Sequence, residues 1–181
     1  MHGVTNVFGI VGWKNAGKTS LMTRLVTWFT EHGVETSTIK HAHHGFDVDK
    51  PGKDSYLHRE AGAREVLVAS ANRFALMHEL RGAPEPELPD LLARLSPVPL
   101  ILVEGFKRYP HPKIEVWRAG GQVPLVAEGD TTVVAVATDV PDLNIDQPLL
   151  DLNDTDQVAD LIVKTLAITV PKSQGQAGAK P

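Results

Sequence analysis

Eight consecutive residues, Gly12-Trp13-Lys14-Asn15-Ala16-Gly17-Lys18-Thr19, place glycine, glycine-lysine and threonine at the spacing G-x-x-x-x-G-K-T, with Ser20 next. Glycines at the first and sixth positions let the backbone turn so that successive N–H groups face one concavity. A helix starting near Lys18 adds its unpaired N–H groups and the positive end of its dipole. The Lys18 ammonium then reaches the outer phosphates of a nucleotide, and the Thr19 hydroxyl is a hard oxygen ligand for Mg²⁺. The chemistry this pattern supports is binding of a nucleoside triphosphate through residues 12–20.

Such a loop leaves the metal and the attacking group unaccounted for. Pro99–Val103 is an apolar run ending in Glu104, which puts a carboxylate at the carboxyl edge of a buried strand, where ligands of open α/β sheets bind. Glu104 is the candidate second group for Mg²⁺ and for orienting water; its bland alternative is a cap or surface carboxylate. Between residues 41 and 55, Asp47, Asp49 and Asp54 alternate with Lys50 and Lys53 behind His41, His43 and His44. This is a candidate switch segment, with Asp49 as a catalytic carboxylate. A zinc site there lacks a second ligand cluster, so solvated or partner-binding histidines fit better. Asp139 ends another apolar run, where a base-reading carboxylate or a turn-forming Asp before Val140-Pro141 would sit. Spacing alone does not separate GTP from ATP. Arg59 and Arg108 are further candidate cations, or solvated charges.

The elements that position these residues follow from periodicity. Val7–Val11 reads as a strand buried on both faces. The segment after the loop carries Leu21, Met22, Leu25, Val26, Trp28 and Phe29 at helical spacing, and Gly33 stops it. Further strands are expected at Thr36–Lys40, Glu65–Ala69, Phe74–His78, Pro99–Val103 and Thr132–Ala137, the pair at 65–78 as a hairpin. Lys113–Trp117 alternates polar and apolar like an exposed strand, available with the hairpin for pairing across subunits. Helices are expected at Tyr56–Ala63, Leu88–Leu95 and Thr155–Leu166. Together they predict an α/β P-loop NTPase fold: a doubly wound, mostly parallel sheet flanked by helices, with a small β extension. Residues 1–170 form one domain in this reading, and 171–181 a disordered tail.

Composition narrows the class. A chain of 181 residues with 42% hydrophobic and 22% charged residues suits a globular core. A net charge of −4 gives no basic field for nucleic acid or anionic membrane, and the lack of cysteine excludes thiolate chemistry. No apolar stretch approaches the ~20 residues of a membrane span, and no signal-peptide pattern opens the chain, so a cytoplasmic location is expected.

Beyond the loop, the chain carries Ile39-Lys40-His41-Ala42-His43-His44, Phe46–Ser55, His58-Arg59-Glu60-Ala61-Gly62-Ala63, Leu102–Lys107 and Lys113-Ile114-Glu115-Val116. In this order, across about residues 6–168, the chain resembles the MobB family, the B proteins of molybdopterin guanine dinucleotide biosynthesis. The resemblance implies a GTP-binding protein with weak, Mg²⁺-dependent GTPase activity, usually a homodimer. It also implies an accessory or adapter role beside the guanylyltransferase MobA. By that carry-over Gly12, Gly17, Lys18 and Thr19 contact nucleotide, while 40–55 and Glu104–Lys107 line the face where pterin or MobA docks. Lys14 and Ala16 depart from the small or hydroxyl residues many relatives have there. Two rival readings are a P-loop small-molecule kinase, with an Asp of residues 41–55 as base, and an adapter that binds nucleotide without hydrolysing it.

Overall fold

A computed structural model describes residues 6–42, 45–121 and 123–171, so His43, His44 and the tail expected beyond Pro171 lie outside it. The elements in order are β1 (Asn6–Val11), α1 (Lys18–Glu31), β2 (Thr36–Lys40), α2 (Asp54–Glu60), β3 (Glu65–Ala69), β4 (Phe74–His78), α3 (Leu88–Leu92), β5 (Leu100–Glu104), β6 (Lys113–Trp117), a short 3-10 turn at Val126–Glu128, β7 (Val133–Thr138), β8 (Leu149–Asp151) and α4 (Thr155–Leu166). They divide into two compact units, one drawn from the chain before residue 42 and after residue 90, the other from Ala42–Asp90.

The first unit is a six-stranded sheet in the order β2-β5-β1-β6-β7-β8, parallel at every pairing. Parallel strands need crossovers, and side chains on both faces must be covered. On one face Phe8 and Ile10 of β1 join Leu100, Leu102, Ile114, Val116, Ala135 and Ala137, packed beneath α1 and α4. Helix α1 contributes Leu21, Met22, Leu25 and Phe29, and α4 contributes Val158, Ala159 and Ile162. The helices are tied to each other where Trp28 Nε1 donates to Asp156 Oδ1 at 2.6 Å. Helix α4 starts on an Asp154 cap that accepts the Gln157 amide at 2.9 Å, satisfying one of the orphan donors of its first turn. On the other face Val11, Val133 and Val136 meet Leu125 and Ala127 of the 3-10 turn.

Strand β6 corrects one expectation. Its alternation was read as solvent exposure, yet it lies between β1 and β7, and Lys113 and Glu115 are fully buried. Tyr109, Asp130, Thr132 and the 3-10 turn cover its polar face. Lys113 Nζ donates to Tyr109 O at 2.8 Å and to Thr132 Oγ1, and pairs with Asp130 at 3.0 Å. Both Glu115 oxygens accept amides of the 3-10 turn, Val126 at 3.0 Å and Ala127 at 2.9 Å. Period-two polarity therefore marks a satisfied polar layer here and not a free edge.

The second unit holds α2 and the expected hairpin β3–β4, antiparallel with Leu67 opposite Leu76 and Ala69 opposite Phe74. Helix α2 begins two residues before the expected start, and α3 stops three residues short of Leu95. The short β8 was missed, being only three residues long.

Candidate functional site

Strand β1 delivers Gly12–Thr19 to the carboxyl edge of the sheet, and the loop's backbone takes the conformations its glycines were expected to supply. Gly12 has φ +140° and a Cβ there would lie 2.4 Å from the Val116 carbonyl oxygen, so the loop passes where only glycine fits. Gly17 opens α1 in a left-handed conformation at φ 102°, and no side chain caps the helix. The first-turn N–H groups of α1 are thus left without a side-chain acceptor, as an anion site requires. Lys18 Nζ donates to the Trp13 carbonyl at 2.7 Å, folding back over its own loop. Lys14, Asn15, Thr19 and Ser20 are exposed, while Ala16 is buried.

Strand β5, hydrogen-bonded beside β1, brings in the carboxylate. Thr19 Oγ1 lies 3.3 Å from Glu104 Oε1 and 3.4 Å from Oε2, and Lys40 Nζ, from the end of β2, is 3.5 Å from Oε1. Three adjacent parallel strands therefore point Lys40, Glu104 and the Thr19-bearing loop at one spot. A hydroxyl and a carboxylate at this separation suit a hard cation that takes oxygen ligands around an octahedron. The donor set of Thr19 and Glu104 is of the kind that would fit Mg²⁺. Burial first, then the charges of Lys107 and Lys40, push the Lys18 ammonium below the ordinary lysine range, while Glu104 pulls it back up.

After Glu104 the chain reverses through Gly105 (φ +98°) and Phe106 (φ 49°), both left-handed. A Cβ on Gly105 would lie 2.8 Å from His41 Cβ, and Phe106 stacks on the His41 ring at 4.6 Å. The turn sets Lys107 Nζ 3.7 Å from the centroid of the Trp13 ring. Trp13 is fixed on its other side, its Nε1 donating to Pro124 O at 3.1 Å.

Asp139 follows β7 at the same sheet edge. It accepts the Ala119 amide at 2.9 Å and pairs with Arg118 at 3.1 Å; the amide bond, ahead of the guanidinium, holds its carboxyl below the usual range. The Arg118 guanidinium in turn lies against Gly17, 3.2 Å from where a Cβ would stand. Asp139 also walls a cleft of about 430 Å³ with Thr138, Pro141, Leu149, Leu150, Asp151, Asn153 and Gln157.

Asp49 belongs to the second unit, and its bonds are made there. Ser55 Oγ donates to Oδ1 at 2.8 Å, and Oδ2 is 3.4 Å from Arg59 Nε. Arg59 also pairs with Asp47 and Glu79, so this cluster braces the loop, α2 and β4. Among the described residues no group of three or more His, Asp and Glu side chains gathers as a metal cage. Reasoning from sequence put Lys40 and Lys107 on a docking face through the family resemblance alone, without their contacts, and assigned no role to Arg118; the signal available was only their position at or just beyond the ends of strands at this edge.

A glycine-lysine-threonine turn between β1 and α1, on a parallel sheet with helices packed against it, defines a P-loop NTPase-like α/β protein. Two solved structures have this fold: a MobB protein homolog from Bacillus stearothermophilus (TM-score 0.66, 25% identity, 90% of this chain and 98% of that one) and Bacillus subtilis MobB (0.69, 23%, 89% and 98%). The family model described as Molybdopterin guanine dinucleotide synthesis protein B matches residues 7–139, and the chain belongs to this MobB family. It is 45% identical to the molybdopterin-guanine dinucleotide biosynthesis adapter protein of Escherichia coli K12, over 87% of this chain and 91% of that protein. The Haemophilus influenzae protein of the same name is 42% identical, over 90% of each. Among the described residues no helix is long and apolar enough to cross a membrane.

Proposed function

We propose that this chain is a GTP-binding adapter of molybdopterin guanine dinucleotide synthesis. It takes Mg²⁺–GTP on Gly12–Ser20, hydrolyses it slowly, and works in the cytoplasm beside a MobA-type guanylyltransferase. The observation that carries the reading is a gathering of cations at the loop: Lys18 Nζ bonds to the Trp13 carbonyl at 2.7 Å, Lys107 Nζ lies 3.7 Å from the centroid of the Trp13 ring, and Lys40 Nζ lies 3.5 Å from Glu104. Cations brought this close are stabilised by a polyanion, and a triphosphate seated on the loop amides supplies it. Thr19 and Glu104 would hold Mg²⁺, which would supply neutralisation of charge on the outer phosphates. Asp139, at the end of β7 beside its cleft, is the candidate for reading the guanine N1–H and amino group, which requires it to give up Arg118.

Slow turnover follows from the residues that meet at the site. Glu104 is shared between Thr19 and Lys40, and intrinsic rates without an arginine finger run near ~10⁻⁴ s⁻¹. A homodimer is supported by β3–β4, whose shared face leaves Leu67 60%, Phe74 73% and Leu76 49% exposed, since an isolated two-stranded sheet is marginal in water. The test is binding of the full chain to a MobA-type guanylyltransferase with and without GTP. The adapter reading expects affinity to rise with GTP and Mg²⁺; an affinity indifferent to nucleotide overturns it.

A further inference from the structure

Lys107 is cationic, half-buried and parked against an aromatic face at the mouth of the phosphate loop. Among the described residues its Nζ makes no hydrogen bond and no ion pair; its contact is the Trp13 ring at 3.7 Å. Burial lowers its pKa below the ordinary lysine range, with Glu115 pulling the other way, and Glu115 itself is committed to the Val126 and Ala127 amides. An ammonium over an indole retains only part of the stabilisation a carboxylate or phosphate gives.

The backbone that puts Lys107 there is itself constrained. Two consecutive left-handed residues, Gly105 and Phe106, turn the chain back from β5 toward β1, and strain of this kind concentrates where a site needs a particular placement. The Gly105 amide is bonded to Ile10 O at 3.1 Å, and Phe106 stacks on His41 and meets Tyr109 edge-on. The root of the lysine is therefore fixed while its flexible stem is not. Lys107 and Lys18 both contact Trp13, one over its ring at 3.7 Å and the other at its carbonyl oxygen at 2.7 Å. A phosphate drawn toward Lys18 comes within reach of a second ammonium.

We propose that Lys107 is a second phosphate-binding cation, which leaves the Trp13 face for the terminal phosphate of a bound nucleoside triphosphate and so makes the protein prefer triphosphate over diphosphate. This rests on the reading of Gly12–Thr19 as a nucleotide site. A diphosphate bound in the loop ends at the phosphate Lys18 holds, and leaves Lys107 on the indole. The Trp13–Lys107 contact is then broken in one nucleotide state and kept in the other, which gives a partner protein a difference to recognise.

Calorimetric titration of the full chain with GTPγS and with GDP, both with Mg²⁺, tests this. Lys107→Gln is expected to weaken GTPγS about tenfold and GDP less than about twofold, while Lys107→Arg keeps most of the preference. In the wild type, tryptophan emission is expected to change with GTPγS in a way that GDP does not reproduce. An unchanged ratio of the two affinities in Lys107→Gln, or identical emission with both nucleotides, overturns the role of Lys107 alone. A wild-type chain that binds neither nucleotide overturns the reading of the loop, and this proposal with it.

Discussion

Thr19 Oγ1 stands 3.3 Å from Glu104 Oε1, a hydroxyl from the first turn of α1 facing a carboxylate from the end of β5. Eighty-five residues of sequence separate them, and the pairing of β1 with β5 closes that distance. Glu104→Gln keeps the shape and removes the charge. It is expected to leave Mg²⁺-free GTP affinity within about twofold and to erase most of the gain that Mg²⁺ confers, about tenfold or 1.4 kcal/mol. Titrations at zero and millimolar Mg²⁺ check this; an intact Mg²⁺ effect removes Glu104 from the metal.

Gly12→Ala tests the cradle's backbone. At φ +140° the new Cβ would press to 2.4 Å on the Val116 carbonyl, which is strand backbone and has little room to yield. Destabilisation of about 2–3 kcal/mol is expected from the left-handed strain and the clash together, visible in denaturant melts. Unaltered stability would mean that the loop does not take this path.

Val116→Pro distinguishes a central strand from an edge. Proline removes a donor and cannot be accommodated inside a ladder paired on both sides. Because β6 lies between β1 and β7, the variant is expected to lose the fold, by about 3 kcal/mol or more. A folded variant altered only in its sedimentation would restore the edge-strand reading.

His111 gives the stability a pH dependence. Burial first, then Lys113, lowers its pKa to about 4, against an ordinary 6.5. Its Nε2 sits 2.5 Å from where a Gly9 Cβ would be, so the ring fills space opened by that glycine. Between those two values the unfolded chain takes up a proton that the folded chain refuses, so stability falls as pH drops from 6.5 toward 4. With partial exposure of the ring discounted, the loss between pH 7 and 5 is on the order of 1 kcal/mol, or roughly 2–4 °C in Tm. Melts of the wild type and His111→Gln at the two values check it; the variant should lose less.

Much of this site could be read before any coordinates. Local signals sufficed for α1, α4, β2 and the β3–β4 hairpin, because each has a clear period and its own stop residues. The glycine loop was legible for the same reason: its chemistry is contiguous. Lys113 and Glu115 misled because alternation reports two unlike faces and says nothing of what covers the polar one. The groups that cover it, Tyr109, Asp130 and the 3-10 turn at Val126–Glu128, lie in segments without periodicity. Lys40, Glu104 and Thr19 meet only through the strand order β2-β5-β1, and strand order is not written in any one window of sequence. Asp139 showed as the end of a strand, but its bonds to Ala119 and Arg118 come from a neighbouring turn.

The most direct measurement is calorimetric titration of the full chain with Mg²⁺–GTP and Mg²⁺–ATP, beside Lys18→Ala. The wild type is expected to saturate with one GTP per chain and to bind ATP more weakly. Lys18→Ala, still folded by its melting curve, is expected to lose GTP affinity by about 30-fold or more, roughly 2 kcal/mol for a charge-assisted bond. No heat with either nucleotide, or equal affinity in a folded Lys18→Ala, would contradict the account.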